Sequence, residues 1–167
     1  MRLLPCADAA RGGGDRLTWT LILFLHLLSA AIWIGGQITL FVAVPVLRRQ
    51  LGPEQSAAPI RTVARRYGMV AGPALALLLV TGLLQADHLG VTPGDSDSEF
   101  ARIVSEKFTL TMIIIALTVL HALLGARIGR APSAPAAAHL RRWSMRLSVI
   151  NLLLGIAVLW LAAELVT

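Results

Sequence analysis

Residues 17 to 47 form an unbroken apolar run in which His26 is the only ionisable side chain. A helix needs about 20 residues to cross the ~30 Å hydrocarbon layer of a bilayer, so this run is long enough to span. Lipid offers no hydrogen bonds to the backbone, so a spanning segment must satisfy its own N–H and C=O groups as a helix or a closed barrel. The run is continuously apolar rather than alternating, which selects the helix. Three further stretches share the property. The sequence therefore predicts four membrane helices at about 17–45, 67–88, 108–128 and 145–166.

Composition agrees. Hydrophobic residues make up 56% of the 167 and charged residues 14%, against roughly 25% charged in soluble domains. The expected fold is all-α: one integral membrane four-helix bundle over residues 17–167, following a flexible tail at 1–16. Nothing is left over for a sizeable soluble domain. The pI of about 11.2 does not point to nucleic acid. The basic residues sit at helix ends and form no patch interleaved with aromatics. The expected partners are instead the lipid bilayer and other membrane subunits or further copies of the chain.

The positions of Lys and Arg set the expected orientation. Ten of the fifteen lie between helices 1 and 2 (Arg48, Arg49, Arg61, Arg65, Arg66) or between helices 3 and 4 (Arg127, Arg130, Arg141, Arg142, Arg146). The positive-inside rule places those two loops in the cytoplasm. An up-down-up-down bundle follows, with both termini outside, in a bacterial-type inner (cytoplasmic) membrane. The single cysteine, Cys6, excludes a disulfide within the chain and any CxxC motif. The first apolar run is too long for a cleaved signal and reads as a span that stays.

Local signals fill in the rest. Trp19 reads as an interface anchor, and Pro45 precedes the Arg48-Arg49 stop. Gly68-xxx-Gly72 permits close helix contact, and Pro73 is expected to kink helix 2. Thr92-Pro93-Gly94-Asp95 reads as a turn, and Ser98 as the cap of a short interfacial helix to Glu106. Residues 131–138 read as an Ala/Pro/Ser linker, with residues 136–145 along the inner surface.

An ionisable side chain inside a membrane helix is costly to insert and marks a functional site by default. Ser29, Ala30, Trp33 and Gly36/Gln37 follow His26 at helical spacing, so His26 heads a small or polar stripe that faces protein rather than lipid. Helix 3 carries a second polar stripe through Lys107, Thr111, Thr118, His121 and Gly125. Helix 4 carries a third through Ser144, Ser148, Asn151 and Gly155.

Depth sorts these groups into two layers. His26 lies 22 residues from Arg48, about 33 Å of helix, and His88 lies the same distance from Arg66. Lys107 lies 20 residues from Arg127, about 30 Å. These three converge near the outer face. His121, only six residues from Arg127, belongs with Asn151 to an inner layer. A layer mismatch argues against His26 and His121 ligating one metal from opposite sides, because metal–nitrogen bonds are only about 2 Å long.

A haem needs an axial donor, an apolar slot and close backbone approach. His26 supplies the donor, with His88 as a candidate second ligand. Gly35-Gly36 beside Trp33 supplies the approach, Gly82 a facing slot, and Lys107 either a charge for a propionate or, when deprotonated, a ligand. A copper site prefers softer Met or Cys ligands, and these lie mostly away from the outer layer. The residues show no nucleophile–base pair and no phosphate loop. The competing reading for His26 is a buried histidine bonded to a backbone carbonyl. For His121 and Asn151 it is a hydrogen bond between helices 3 and 4, and for Lys107 a side chain that reaches the outer surface.

The stretch His26-Leu-Leu-Ser-Ala-Ala-Ile-Trp33-Ile-Gly35-Gly36 resembles the first-helix motif of the HemJ-type protoporphyrinogen oxidases and the CopD-type membrane proteins. Thr81-Gly82-Leu83, Lys107-Phe108 and Leu120-His121 to Gly125 are similar to further segments of these families, as is Arg146-Leu-Ser-Val-Ile-Asn151. The resemblance covers most of residues 20–165. It implies haem b, with His26 and Lys107 as the functional pair. Asn151 departs from the HemJ pattern, being followed by Leu152-Leu153-Leu154 rather than Glu and Pro. The expected function is haem b binding for electron transfer or porphyrin redox chemistry, within a larger membrane complex. Three readings stay open beside it: a HemJ-type oxidase, a CopD-type copper permease, and a structural subunit with no cofactor.

Overall fold

A computed structural model of the chain describes residues 6–92, 94, 97–128, 130 and 132–164, with side chains from residue 14 onward. Four helices account for nearly all of it, and no strand is present among the described residues. They are α1 (Cys6–Gln55), α2 (Ala57–His88), α3 (Glu99–Ile128) and α4 (Ala134–Glu164). All four are long and apolar enough to cross a membrane.

Each helix outruns the apolar stretch that announced it. α2 begins at Ala57 rather than near Tyr67, and α4 at Ala134 rather than near Met145. The physical reason is that an apolar window measures what lipid must cover, whereas a helix continues as long as its residues propagate it. Arg, Ala, Gln and Glu are all good helix formers, so the basic segments extend the rods into water. α1 likewise includes residues 6–16 and carries Pro45 within it. Ser98 does cap a helix, with its hydroxyl accepting from the Ala101 N–H at 3.1 Å. The helix it caps is α3 itself, rather than a separate interfacial segment.

The turn between α1 and α2 is tight. Gly52 takes φ 74°, a left-handed value that favours glycine, and breaks the helical path. The Ser56 N–H then donates to the Gly52 carbonyl at 3.2 Å. Gly90 closes α2 in the same way, at φ 69°. Of the expected turn at Thr92 to Asp95, Pro93 and Asp95 lie outside the described residues.

Burial is inverted relative to a soluble domain. Only 6% of the most apolar window of α3 is buried, and Leu17, Phe24, Met69, Leu153 and Trp160 are exposed. The buried positions include small or polar residues such as Ser29, Ala71, Ala74, Thr81, Ala101 and Asn151. Apolar side chains thus face lipid, and small residues let the backbones approach. The centre is a cluster of Trp33, Ala71, Leu75 and Ile114, with Ile34, Tyr67, Ile115, Leu154 and Val158 against it. α1 packs chiefly on α2 and α3 on α4, and the two pairs meet more sparsely.

Candidate functional site

His26 projects from α1 onto α2 at Thr81 and Gly82. Its Nδ1 lies 2.9 Å from the Thr81 hydroxyl oxygen. A Cβ at Gly82 would stand 3.3 Å from His26 Cε1, so glycine there leaves room for the imidazole. Thr81 is buried, at 3% exposure.

The Thr81 hydroxyl has carbonyls of its own helix and His26 Nδ1 all within hydrogen-bond distance, so where its hydrogen goes decides the tautomer. The Thr81 hydroxyl has one hydrogen, and it points back to the carbonyls of the preceding turn, Leu77 at 2.7 Å and Leu78 at 3.2 Å. A carbonyl only accepts, so that hydrogen is committed. The hydroxyl must then accept from His26, which places the proton on Nδ1. In that tautomer Nε2 keeps its lone pair. A ring N–H held by the protein, with the other nitrogen bare, is the usual state of a metal-ligating histidine.

Lys107 enters from α3, half-buried. Lys107 stands seven residues before Ile114 on α3, as His26 stands seven before Trp33 on α1, and Ile114 and Trp33 share the core cluster. Lys107 forms no ion pair among the described residues, whose only salt bridges join Arg102 to Glu99 and Glu106. The two residues expected to form the outer layer thus stand the same number of turns along their helices from one shared core cluster.

The other candidates are placed differently. His88 stacks on Trp19, with ring centroids 3.6 Å apart and planes 20° apart. Seven residues, about 10 Å of helix, separate His88 from Thr81 and Trp19 from His26. His88 therefore stands two turns from the His26 ring. Among the described residues no three His, Cys, Asp or Glu side chains gather where one ion could be held.

The glycines expected to admit a macrocycle accommodate side chains of this chain. A Cβ at Gly36 would collide with the Tyr67 ring, whose hydroxyl donates to the Trp33 carbonyl at 2.6 Å. The Gly82 position is taken by His26. Trp33 is buried at 4% exposure, and its Cζ3 would lie 2.8 Å from a Cβ at Gly155. In this structure Trp33, Gly36 and Gly82 serve helix packing rather than a macrocycle slot; of the expected haem set, His26 and Lys107 are the groups that would remain to hold one. The sequence argument missed Tyr67 and the Gly155 contact. Tyr67 is the only tyrosine in the chain, and it packs on Gly36 of α1, whereas Gly68 and Gly72, expected to admit a neighbouring helix, meet nothing within 4 Å.

The inner layer is a hydrogen-bonded seam between α3 and α4. His121 Nδ1 lies 3.1 Å from the Ser144 carbonyl, 3.2 Å from the Ser144 hydroxyl and 3.3 Å from that of Ser148. Asn151 Nδ2 donates to Thr118 Oγ1 at 2.9 Å. His121 and Asn151 each reach across the seam, but to separate partners.

Comparison with protein-family models, with curated proteins and with solved structures gives no match.

Proposed function

We propose that this chain is a haem b-binding membrane protein serving electron transfer or porphyrin redox chemistry. One observation carries the reading: His26 Nδ1 lies 2.9 Å from the buried Thr81 hydroxyl, which, with its own hydrogen on the Leu77 carbonyl, would hold the ring proton on Nδ1 and leave Nε2 for a ligand. His26 Nε2 would take the iron, and Lys107 would meet a propionate or another carboxylate of the porphyrin. Haem bound there supplies a one-electron couple. The protein's part is to hold the imidazole in one tautomer and orientation, and to bring a cation to the same depth.

The membrane arrangement belongs to the same proposal. Contacts support an up-down-up-down order. Trp19, His26 and Trp33 on α1 meet His88, Thr81 and Tyr67 on α2, so partner numbers fall as α1 rises. Thr118 meets Asn151, and His121 meets Ser148 and Ser144, in the same falling order. From His26 to Trp33 on α1 and from Lys107 to Ile114 on α3 are seven residues each, and Trp33 and Ile114 share the core cluster. With the arginine-rich turns inside, both termini lie outside a bacterial-type inner membrane. Assembly with other membrane subunits or a second copy follows from the role, since electrons need a donor and an acceptor.

A copper permease gains nothing from the geometry, because His26 has no second imidazole beside it. The test is an absorption spectrum and metal analysis of the purified protein. Haem b in the wild type supports the reading. Copper, or no cofactor at all, refutes it.

A further inference from the structure

Two buried polar side-chain atoms lack a hydrogen-bond partner among the described residues: Nε2 of Gln37 and Oδ1 of Asn151. One is a donor and the other an acceptor. They belong to different helix pairs, Gln37 to α1 and Asn151 to α4. Asn151 is only 8% exposed. Its amide orientation is fixed from outside. The Thr118 hydroxyl gives its hydrogen to the Ile114 carbonyl at 2.8 Å, so it accepts from Asn151 Nδ2. The atom that Asn151 turns away from Thr118 is therefore the oxygen.

The two atoms share a layer. Trp33 of α1 packs with Ile114 of α3 and against Gly155 of α4. Gln37 lies four residues after Trp33, Thr118 four after Ile114, and Asn151 four before Gly155. In the up-down order each is one turn inward, about 6 Å, on nearly the same helix face. Toward the outside, Trp33, Ala71, Leu75 and Ile114 close this layer with an apolar plug. Lipid tails cannot satisfy either polar atom, and an unsatisfied polar group at membrane depth is costly.

We infer that this layer is a binding site for one small molecule able both to accept and to donate a hydrogen bond. The occupant is a single buried water. It accepts from the Gln37 Nε2–H and donates to Asn151 Oδ1, which ties α1 to the α3–α4 seam. Buried waters typically serve otherwise unsatisfied polar groups in this way. The inference rests on the up-down order proposed above and not on the cofactor.

The test is a structure of the full chain in lipid that resolves water, with a thermal-denaturation cycle on Gln37→Leu, Asn151→Leu and the double variant. A water within about 3.2 Å of both atoms is expected. Each single substitution should lower the melting temperature by a few degrees, and the double variant should lose no more than the worse single. If Asn151→Leu does not fold, Asn151→Ala with Gln37→Met repeats the cycle. A direct Gln37–Asn151 bond without water, or fully additive losses, overturns the inference. The cycle reads the same with or without haem, so failure of the cofactor reading leaves it standing.

Discussion

His26 Nδ1 lies 2.9 Å from a Thr81 hydroxyl whose only hydrogen is committed to the Leu77 carbonyl at 2.7 Å. This relation makes Thr81 a positioning residue for His26. Thr81→Val keeps the shape and removes the acceptor. The expected result is haem affinity lowered about 10–100-fold, the range for loss of a ligand's outer partner. Thr81→Ser should restore most of it. Haem titration into the apo protein measures both, and equal affinity in the Val variant and the wild type would remove Thr81 from the account.

Gly36 and Gly35 are neighbours with opposite demands. A Cβ at Gly36 meets the Tyr67 ring, whereas one at Gly35 meets nothing within 4 Å. Gly36→Ala should destabilise the protein by about 1–3 kcal/mol, the usual cost of overpacking. Gly35→Ala should stay within about 0.5 kcal/mol of wild type. Thermal unfolding in lipid or detergent compares them, and equal losses would contradict the packing described.

His121→Ala tests the separation of the two layers. The variant loses bonds to Ser144 and Ser148 across the α3–α4 seam. Such bonds in membranes average ~0.6 kcal/mol, so a small loss of stability is expected, with haem content unchanged. Two haems per chain, one of them lost in His121→Ala, would show that the inner layer also holds a cofactor.

Topology is checked by cysteine labelling on a Cys6→Ser background. Gln55→Cys and Ser133→Cys should be protected from an impermeant reagent added outside, and Glu99→Cys should react. The reverse pattern would invert the protein in the membrane, despite the concentration of ten arginines at the α1–α2 and α3–α4 turns.

The sequence made the four helices legible because lipid imposes one demand, about 20 apolar residues, that composition alone reveals. It did not reveal where the helices stop. Arg61, Arg65 and Arg66 continue α2 below the apolar window, and only backbone hydrogen bonding settles that. His26 and Lys107 were legible as rare ionisable groups at one depth. The occupants of the glycine positions were not. Gly36 next to Trp33 invites a cofactor on paper, but an α2 residue 31 positions away, Tyr67, takes the space. Spacing along one helix cannot report which side chain a neighbouring helix contributes. For the same reason Thr81 stood out in the sequence only as part of a resembling segment, and its role appears only with His26 beside it.

The proposed site stands on His26 Nε2 as the iron ligand. Its most direct test is the absorption spectrum of the purified protein beside that of His26→Ala, both checked for folding by thermal unfolding. The wild type should show the Soret band of haem b, and the folded His26→Ala variant should lose it, because the axial imidazole bond has no nearby substitute. A wild type that folds without haem, or a His26→Ala variant with unchanged haem content, would contradict the claim.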